Sequence, residues 1–378
     1  MNEGKIINIA VILATVGSCL NRDLIPPSKK PANPEPGLAG LTPSHQLTAE
    51  ANWLKEPTEE MEVFQPEGGI IDQLNQGINK FGLLWQAGPT PLSDLSPAEQ
   101  TQLLFPLSAG ENLSFPGQNF SPGEENEENQ PLPLSVDWRS QDGANWLSPV
   151  KNQGQCSTCV AFAVNTAVEA LLRIAKKDPY LFLDQSDAHL FFCSGGSCRN
   201  GSWPDAALSL YQEPGVPTET CSPYGLAFQG QNLDCEANLC AHPELGLVTI
   251  EDWSLLQGEE QIKKALINGP VIAIMKVSPS FFSYQDGAYT PLPGEEVVGL
   301  HVFVIIGYDD EKGVWLCRNS WGKEWGKEGD FEVVYGVCDI GYFAWLPINF
   351  SREPVYQLYF PATVKYRPPP PPIRFSEN

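Results

Sequence analysis

The stretch Pro149-Val150-Lys151-Asn152-Gln153-Gly154-Gln155-Cys156-Ser157-Thr158-Cys159 governs the reading of this chain, because it ends in a thiol at the head of an apolar run. After Cys159 come Val160-Ala161-Phe162-Ala163-Val164, then Leu171-Leu172, with no Pro or Gly before Lys176. That pattern predicts a buried helix with Cys159 in its first turn. Unpaired N–H groups and the positive end of the helix dipole favour an anion there, so a stabilised thiolate is expected. A nucleophile also needs a base, and the base needs a group to orient it. Downstream lie His301, in Gly299-Leu300-His301-Val302-Phe303, and Asn319, in Arg318-Asn319-Ser320-Trp321-Gly322.

Pro149 to Cys159 resembles the active-site segment of papain-family cysteine proteases. Val136-Asp137-Trp138-Arg139 resembles the start of their mature enzymes, and Asn319-Ser320-Trp321-Gly322 their Asn-containing signature. In that family the His and Asn follow the Cys by about 130–150 residues. Here His301 lies 142 residues downstream and Asn319 160. The resemblance runs from about Leu132 to Phe350. It implies that Cys159 attacks a peptide carbonyl, that His301 pairs with the thiolate and later protonates the leaving amine, and that Asn319 orients the imidazole. Trp321 would shield that hydrogen bond from water, and Gln153 would donate to the oxyanion beside the Cys159 backbone N–H. His45, in the leader, and His189 and His242, in packing or surface contexts, lack the motif around His301.

Substrate-binding residues follow from the same resemblance, with departures. The paired glycines that meet substrate backbone appear only as Asn200-Gly201-Ser202, where the Ser202 side chain narrows the cleft. Trp203, Pro204 and Val302 are expected to line the pocket for the second residue before the scissile bond, with an apolar or aromatic preference. Val160 stands where an aromatic is usual after the nucleophile, and Leu300 where Asp or Asn usually precedes the His. None of these changes removes a catalytic group.

Ten cysteines set the compartment. With Cys19 and Cys159 set aside, an even number remains, and the resemblance implies Cys156–Cys198 and Cys193–Cys235. Elimination then leaves Cys221–Cys240 and Cys317–Cys338. No CxxC pair has a second pair or a His at ligand spacing, so neither a metal nor a cofactor is expected. Cys156-x-x-Cys159 lacks a thioredoxin-like context, and disulfides point to an oxidising compartment. Ile6 to Val16, after Lys5 and before Gly17-Ser18-Cys19, resembles a signal-peptide apolar region too short to span a bilayer. Val16-Gly17-Ser18-Cys19 also resembles a lipoprotein processing site, which would place a lipid anchor on Cys19. The expected location is therefore secreted or in the cell envelope, or a lysosome-like compartment in a eukaryote.

The formal net charge of −23 argues against nucleic acid, whose phosphates would repel the chain. Four segments are expected: a signal peptide at 1–19, a pro-region at 20–130, a peptidase domain at 131–350 and a Pro-rich tail at 351–378. The pro-region closes on the solvated acidic run Glu124-Glu125-Asn126-Glu127-Glu128. Within it, Gly77 to Gly82 and Leu92 to Glu99 resemble an inhibitory propeptide split by an insertion around Gln86–Pro91. The tail contains Pro368 to Pro372, a stiff polyproline segment. Helix and loop are expected to about Pro243, then strands at Leu247–Trp253, Val271–Val277, His301–Tyr308, Val314–Arg318 and Asp330–Tyr335, with one helix at Glu259–Asn268. The fold class is α+β, a papain-like pair of lobes: a helical N-terminal lobe and an antiparallel sheet or barrel, with the site in the cleft between. The implied function is a monomeric cysteine endopeptidase acting on protein or peptide substrates, with its own pro-region as inhibitor. A non-catalytic binding module on the same fold, or a Cys-His amidase or acyltransferase, is the rival.

Overall fold

The computed structural model describes residues 68–107, 131–235 and 239–352. The signal-like segment with Cys19, His45, the acidic run at 124–128 and the polyproline tail lie outside the described residues.

Helix α3, Cys159–Lys176, is buried on nearly all sides. Its alanines at 161, 163, 167 and 170 keep it slim, so it packs closely on the central strand β6, Gly299–Asp309. Two shorter helices, α4 (Asp187–Cys193) and α5 (Pro204–Gln212), pack against α3 and complete the first lobe. Three disulfides staple it: Cys156–Cys198, Cys193–Cys235 and Cys221–Cys240. The first two each span 42 residues, worth about 4 kcal/mol apiece in the chain-entropy account.

The second lobe is a twisted sheet. Its strands are β1 (Trp85–Ala87), β2 (Ser135–Asp137), β3 (Thr249–Leu256), β4 (Val271–Val277), β5 (Tyr284–Tyr289), β6, β7 (Val314–Arg318), β8 (Asp330–Val334) and β9 (Ala344–Arg352). The order is β1-β5-β8-β7-β6-β4-β9-β3, with β2 also on β6. Every described pair is antiparallel except β5 with β8, which run parallel. Strand β6 is buried from Gly299 to Tyr308, which is why its sequence reads as continuously apolar and not alternating. Helix α6, Glu259–Leu266, lies against β4 and β6.

The expected Cys317–Cys338 bond is absent. Cys317, on β7, is paired with Ile305 and Phe331. The Cys338 carbonyl accepts from Lys276 N on β4, whose partner on β6 is Leu300. The two cysteines are thus about three strand spacings apart, roughly 14 Å, well beyond the roughly 7 Å between Cα atoms that a disulfide tolerates. Both side chains are buried in the apolar core.

Residues 68–107 lie against the second lobe and then cross the cleft. Helix α1, Ile70–Phe81, buries Leu74, Gly77 and Ile78 and stops at Gly82 in the left-handed region. A Cβ on Gly77 would stand 3.1 Å from the Leu292 side chain, so glycine lets this helix approach that loop. β1, which runs into the start of the stretch expected to be an insertion, adds to the edge of β5. There Trp85 packs its ring 5.0 Å from that of Tyr289. Helix α2, Pro97–Gln102, begins in a capping box formed by Ser96 and Glu99.

Candidate active site

The loop before α3 is held from both lobes. Gln153 N donates to the Ser320 carbonyl at 2.8 Å, and Gly322 N to that of Lys151, so this loop is zipped to the 320–322 segment. Ser320 Oγ donates to Gln153 Oε1 at 2.8 Å, which leaves the amide nitrogen facing the cleft. Gln153 Nε2 donates to the carbonyls of Cys156 and Leu103, each at 2.9 Å. On the other side, the Tyr224 hydroxyl donates to the Gln153 carbonyl at 2.8 Å and stands 2.5 Å from Thr158 Oγ1. Glu219 Oε1 in turn accepts from Tyr224 N. Tyr224 therefore ties the amide-bearing residue to the helix cap.

Cys159 is the first residue of α3. Thr158, the cap residue, gives its side chain to other partners and leaves the helix end without a side-chain cap. Burial pushes the thiol pKa up to about 11, against the backbone N–H groups of Val302, Val160 and Cys159, which draw it down. His301, on β6, stands beside Met275 of β4 and is fully buried. Its Nε2 is 2.7 Å from Asn319 Oδ1. That oxygen also accepts from Ser320 N, so it is an acceptor and Nε2 carries the proton. Nδ1 is then the basic nitrogen, buried without a hydrogen-bond partner. Burial lowers the His301 pKa to about 4, against the opposing pull of Asn319. Trp321 lies over the imidazole with ring centres 4.5 Å apart, and is itself stacked on Phe282.

What covers these groups is Leu103-Leu104-Phe105. The Leu103 carbonyl sits on Gln153 Nε2, and the Leu104 carbonyl on Ser157 Oγ at 2.8 Å. Phe105 exchanges both backbone hydrogen bonds with Leu300, at 2.7 and 2.9 Å. Its ring meets Trp203 edge-on at 4.5 Å and fills the space above Gly201, where a Cβ would come within 2.3 Å of it. Gly201 has φ +68, so both its conformation and its open face require glycine.

Gln153, Cys159, His301, Asn319, Trp321, Gly201 and Trp203 thus converge on one cleft. Ser202 is buried beside Gly201, and Pro204 opens α5 behind Trp203. Val302 turns its N–H toward the Cys159 sulfur and borders a cavity of about 10 Å³ between α3 and β6, along with Phe162 and Ala163. His189 is buried, with a pKa lowered to about 4 by burial, and His242 is an exposed partner of Glu244. Among the described residues no group of acidic, His or Cys side chains has metal-binding geometry. The sequence reading did not single out Leu103–Phe105, Ser157, Ser320 or Tyr224. The cleft-filling segment had one visible signal, an apolar triplet stopped by Pro106 inside a polar region.

Comparison with known proteins gives a consistent answer. The family described as papain family cysteine protease matches residues 132–348. Pro-cathepsin H of Bos taurus is 29% identical over 275 residues, covering 70% of this chain and 77% of that protein. Probable cysteine protease RDL6 of Arabidopsis thaliana is 30% identical over 317 residues, covering 80% and 83%. Among solved structures, a proCathepsin B from Trypanosoma congolense superposes with a TM-score of 0.62 at 22% identity, over 74% of this chain and 96% of that one.

Proposed function

The chain belongs to the papain family of cysteine proteases and is a cysteine endopeptidase made as a precursor, and on that footing we propose the roles of its residues. Cys159 is the nucleophile and His301 Nδ1 takes the thiol proton. The sulfur then attacks the peptide carbonyl carbon, and the oxyanion receives N–H groups from Gln153 Nε2 and from the Cys159 backbone. Collapse breaks the C–N bond, and the proton on Nδ1 leaves with the amine. Water, deprotonated by the same nitrogen, releases the acyl group from sulfur. Asn319 fixes the tautomer that leaves Nδ1 free, and Trp321 keeps water off that hydrogen bond. The observation that carries this reading is the carbonyl of Leu103 lying on Gln153 Nε2, within the same cleft as Cys159 and the His301–Asn319 pair.

Residues up to about 130 act as a removable inhibitor, with trimming near Pro131–Leu134. Phe105 lies in the Trp203 pocket while Leu103 lies at the Gln153 donor, so the chain runs from its C-terminal side toward the nucleophile. A substrate whose second residue before the scissile bond enters that pocket runs the other way. This reversed polarity supports occupancy without cleavage. Gly201, Ser202, Trp203, Pro204 and Val302 form the acyl-side wall, and the Phe105 ring supports an aromatic or apolar preference there. The three disulfides and the signal-like leader support an extracytoplasmic location, secreted or lysosome-like. No described helix is long and apolar enough to cross a membrane.

The test is peptide hydrolysis and labelling by an epoxide-type thiol probe, on the trimmed enzyme and on Cys159→Ala and His301→Ala. Both substitutions should abolish turnover, and Cys159→Ala should abolish labelling. Substantial hydrolysis by Cys159→Ala would overturn the assignment.

A further inference from the structure

Ser157 stands two residues before the nucleophile, a position that is glycine in the family signature. It is fully buried, its N–H donates to the Cys198 carbonyl, and its hydroxyl points into the cleft. A Cβ on Gly201 would stand 3.2 Å from Oγ, so the hydroxyl and Gly201 face each other across a narrow space. Among the described residues the hydroxyl has one hydrogen-bond partner, the Leu104 carbonyl at 2.8 Å. The neighbouring Thr158 hydroxyl, by contrast, is engaged by Tyr224 and Cys156, within the enzyme domain itself. When residues 103–105 leave, Thr158 keeps its partners and Ser157 loses its own. Facing the cleft, that donor is open to whatever acceptor the next occupant brings.

The kind of acceptor can be read from the spacing. Gln153 Nε2 and Ser157 Oγ hold the carbonyls of Leu103 and Leu104 at once, so the two donors are one peptide-carbonyl interval apart. A substrate presents its scissile carbonyl to Gln153. A glutamine at that residue carries a second carbonyl at the end of its side chain, and that carbonyl can bridge the same interval to Ser157. Methionine has the same length and no comparable acceptor. Building on the protease reading above, we propose that Ser157 is a specificity residue, whose hydroxyl selects glutamine at the residue supplying the scissile carbonyl.

The experiment compares two quenched peptides that differ only at this residue, Gln against Met, on trimmed wild type, Ser157→Ala and Ser157→Thr, each titrated with the thiol probe so that only folded enzyme is counted. Because the readout is a ratio of kcat/KM values for one enzyme, a general loss of activity does not move it. One hydrogen bond corresponds to a preference for Gln of about 3–10-fold in wild type. The ratio should fall to near one in Ser157→Ala and survive in Ser157→Thr, which keeps the hydroxyl. Equal cleavage of both peptides by wild type, or a Gln preference retained in Ser157→Ala, overturns the role of Ser157 while leaving the protease reading intact. If wild type cleaves neither these peptides nor any other, both readings fall together.

Discussion

Replacing Phe105 by Ala should unlatch the precursor. The side chain is 3% exposed, its ring is 4.5 Å from Trp203, and it fills the space above Gly201. Burying a Phe side chain is worth about 1.5–3 kcal/mol, and an edge-on aromatic pair adds about 0.5–1.5. The backbone bridge to Leu300 survives the substitution and so does the Leu103 contact with Gln153. A loss of about 2–4 kcal/mol in the covering interaction is therefore expected, a roughly 30- to 1,000-fold rise in the uncovered fraction. The assay uses precursor with its connecting segment made uncleavable, and measures peptide hydrolysis at matched active-site titre. Trimming offers an internal control, since residue 105 is then removed and the variant and wild-type enzymes become the same molecule. A Phe105→Ala precursor as silent as wild type would refute the claim that this contact holds the cover in place.

Three further outcomes follow from the same geometry. Burial holds the His301 pKa down at about 4, below the ordinary imidazole value of about 6.5, so protons favour the state in which the ring is better hydrated: covering should be at full strength above about pH 6.5 and weaken as pH falls toward 4. In Cys159→Ala precursor the hydrogen-exchange protection of the Phe105 amide should drop over that range, and constant protection down to pH 4 would contradict the linkage. Gln153→Ala in the trimmed enzyme should lower kcat by about 10²–10³ with a smaller change in KM, as expected for a donor used in the transition state, and an unchanged kcat would remove Gln153 from the oxyanion site. Peptide mapping without reductant should find Cys317 and Cys338 alkylated only after unfolding, and a linked pair would overturn the separation read from the sheet.

Local chemistry was legible before folding was considered. Helix α3 and its leading thiol followed from a largely apolar run without Pro or Gly, and β4, β6, β7 and β8 from short apolar stretches punctuated by Gly, Pro and Asp. His301 and Asn319 could be named because each sits in a local motif that keeps its form wherever the chain goes. What could not be read were relations between distant residues that leave no mark on their own neighbourhoods. β5 and β9 carry no strong periodic signal and exist because other strands pair with them. Cys317 and Cys338 were coupled by counting, whereas the sheet order separates them. The resting state of the site was equally hidden. A thiol at a helix end reads as a thiolate when only the helix is considered, yet its burial in the folded chain pushes the pKa up to about 11, while Leu103 to Phe105, drawn across the cleft from some 50 residues upstream, occupy the Gln153 donor and the space above Gly201. The sequence by itself determined which groups can react, because composition and short spacing set their intrinsic chemistry. Only the tertiary structure decided when they can, because desolvation and the placing of a single carbonyl on Gln153 depend on segments that meet in space alone.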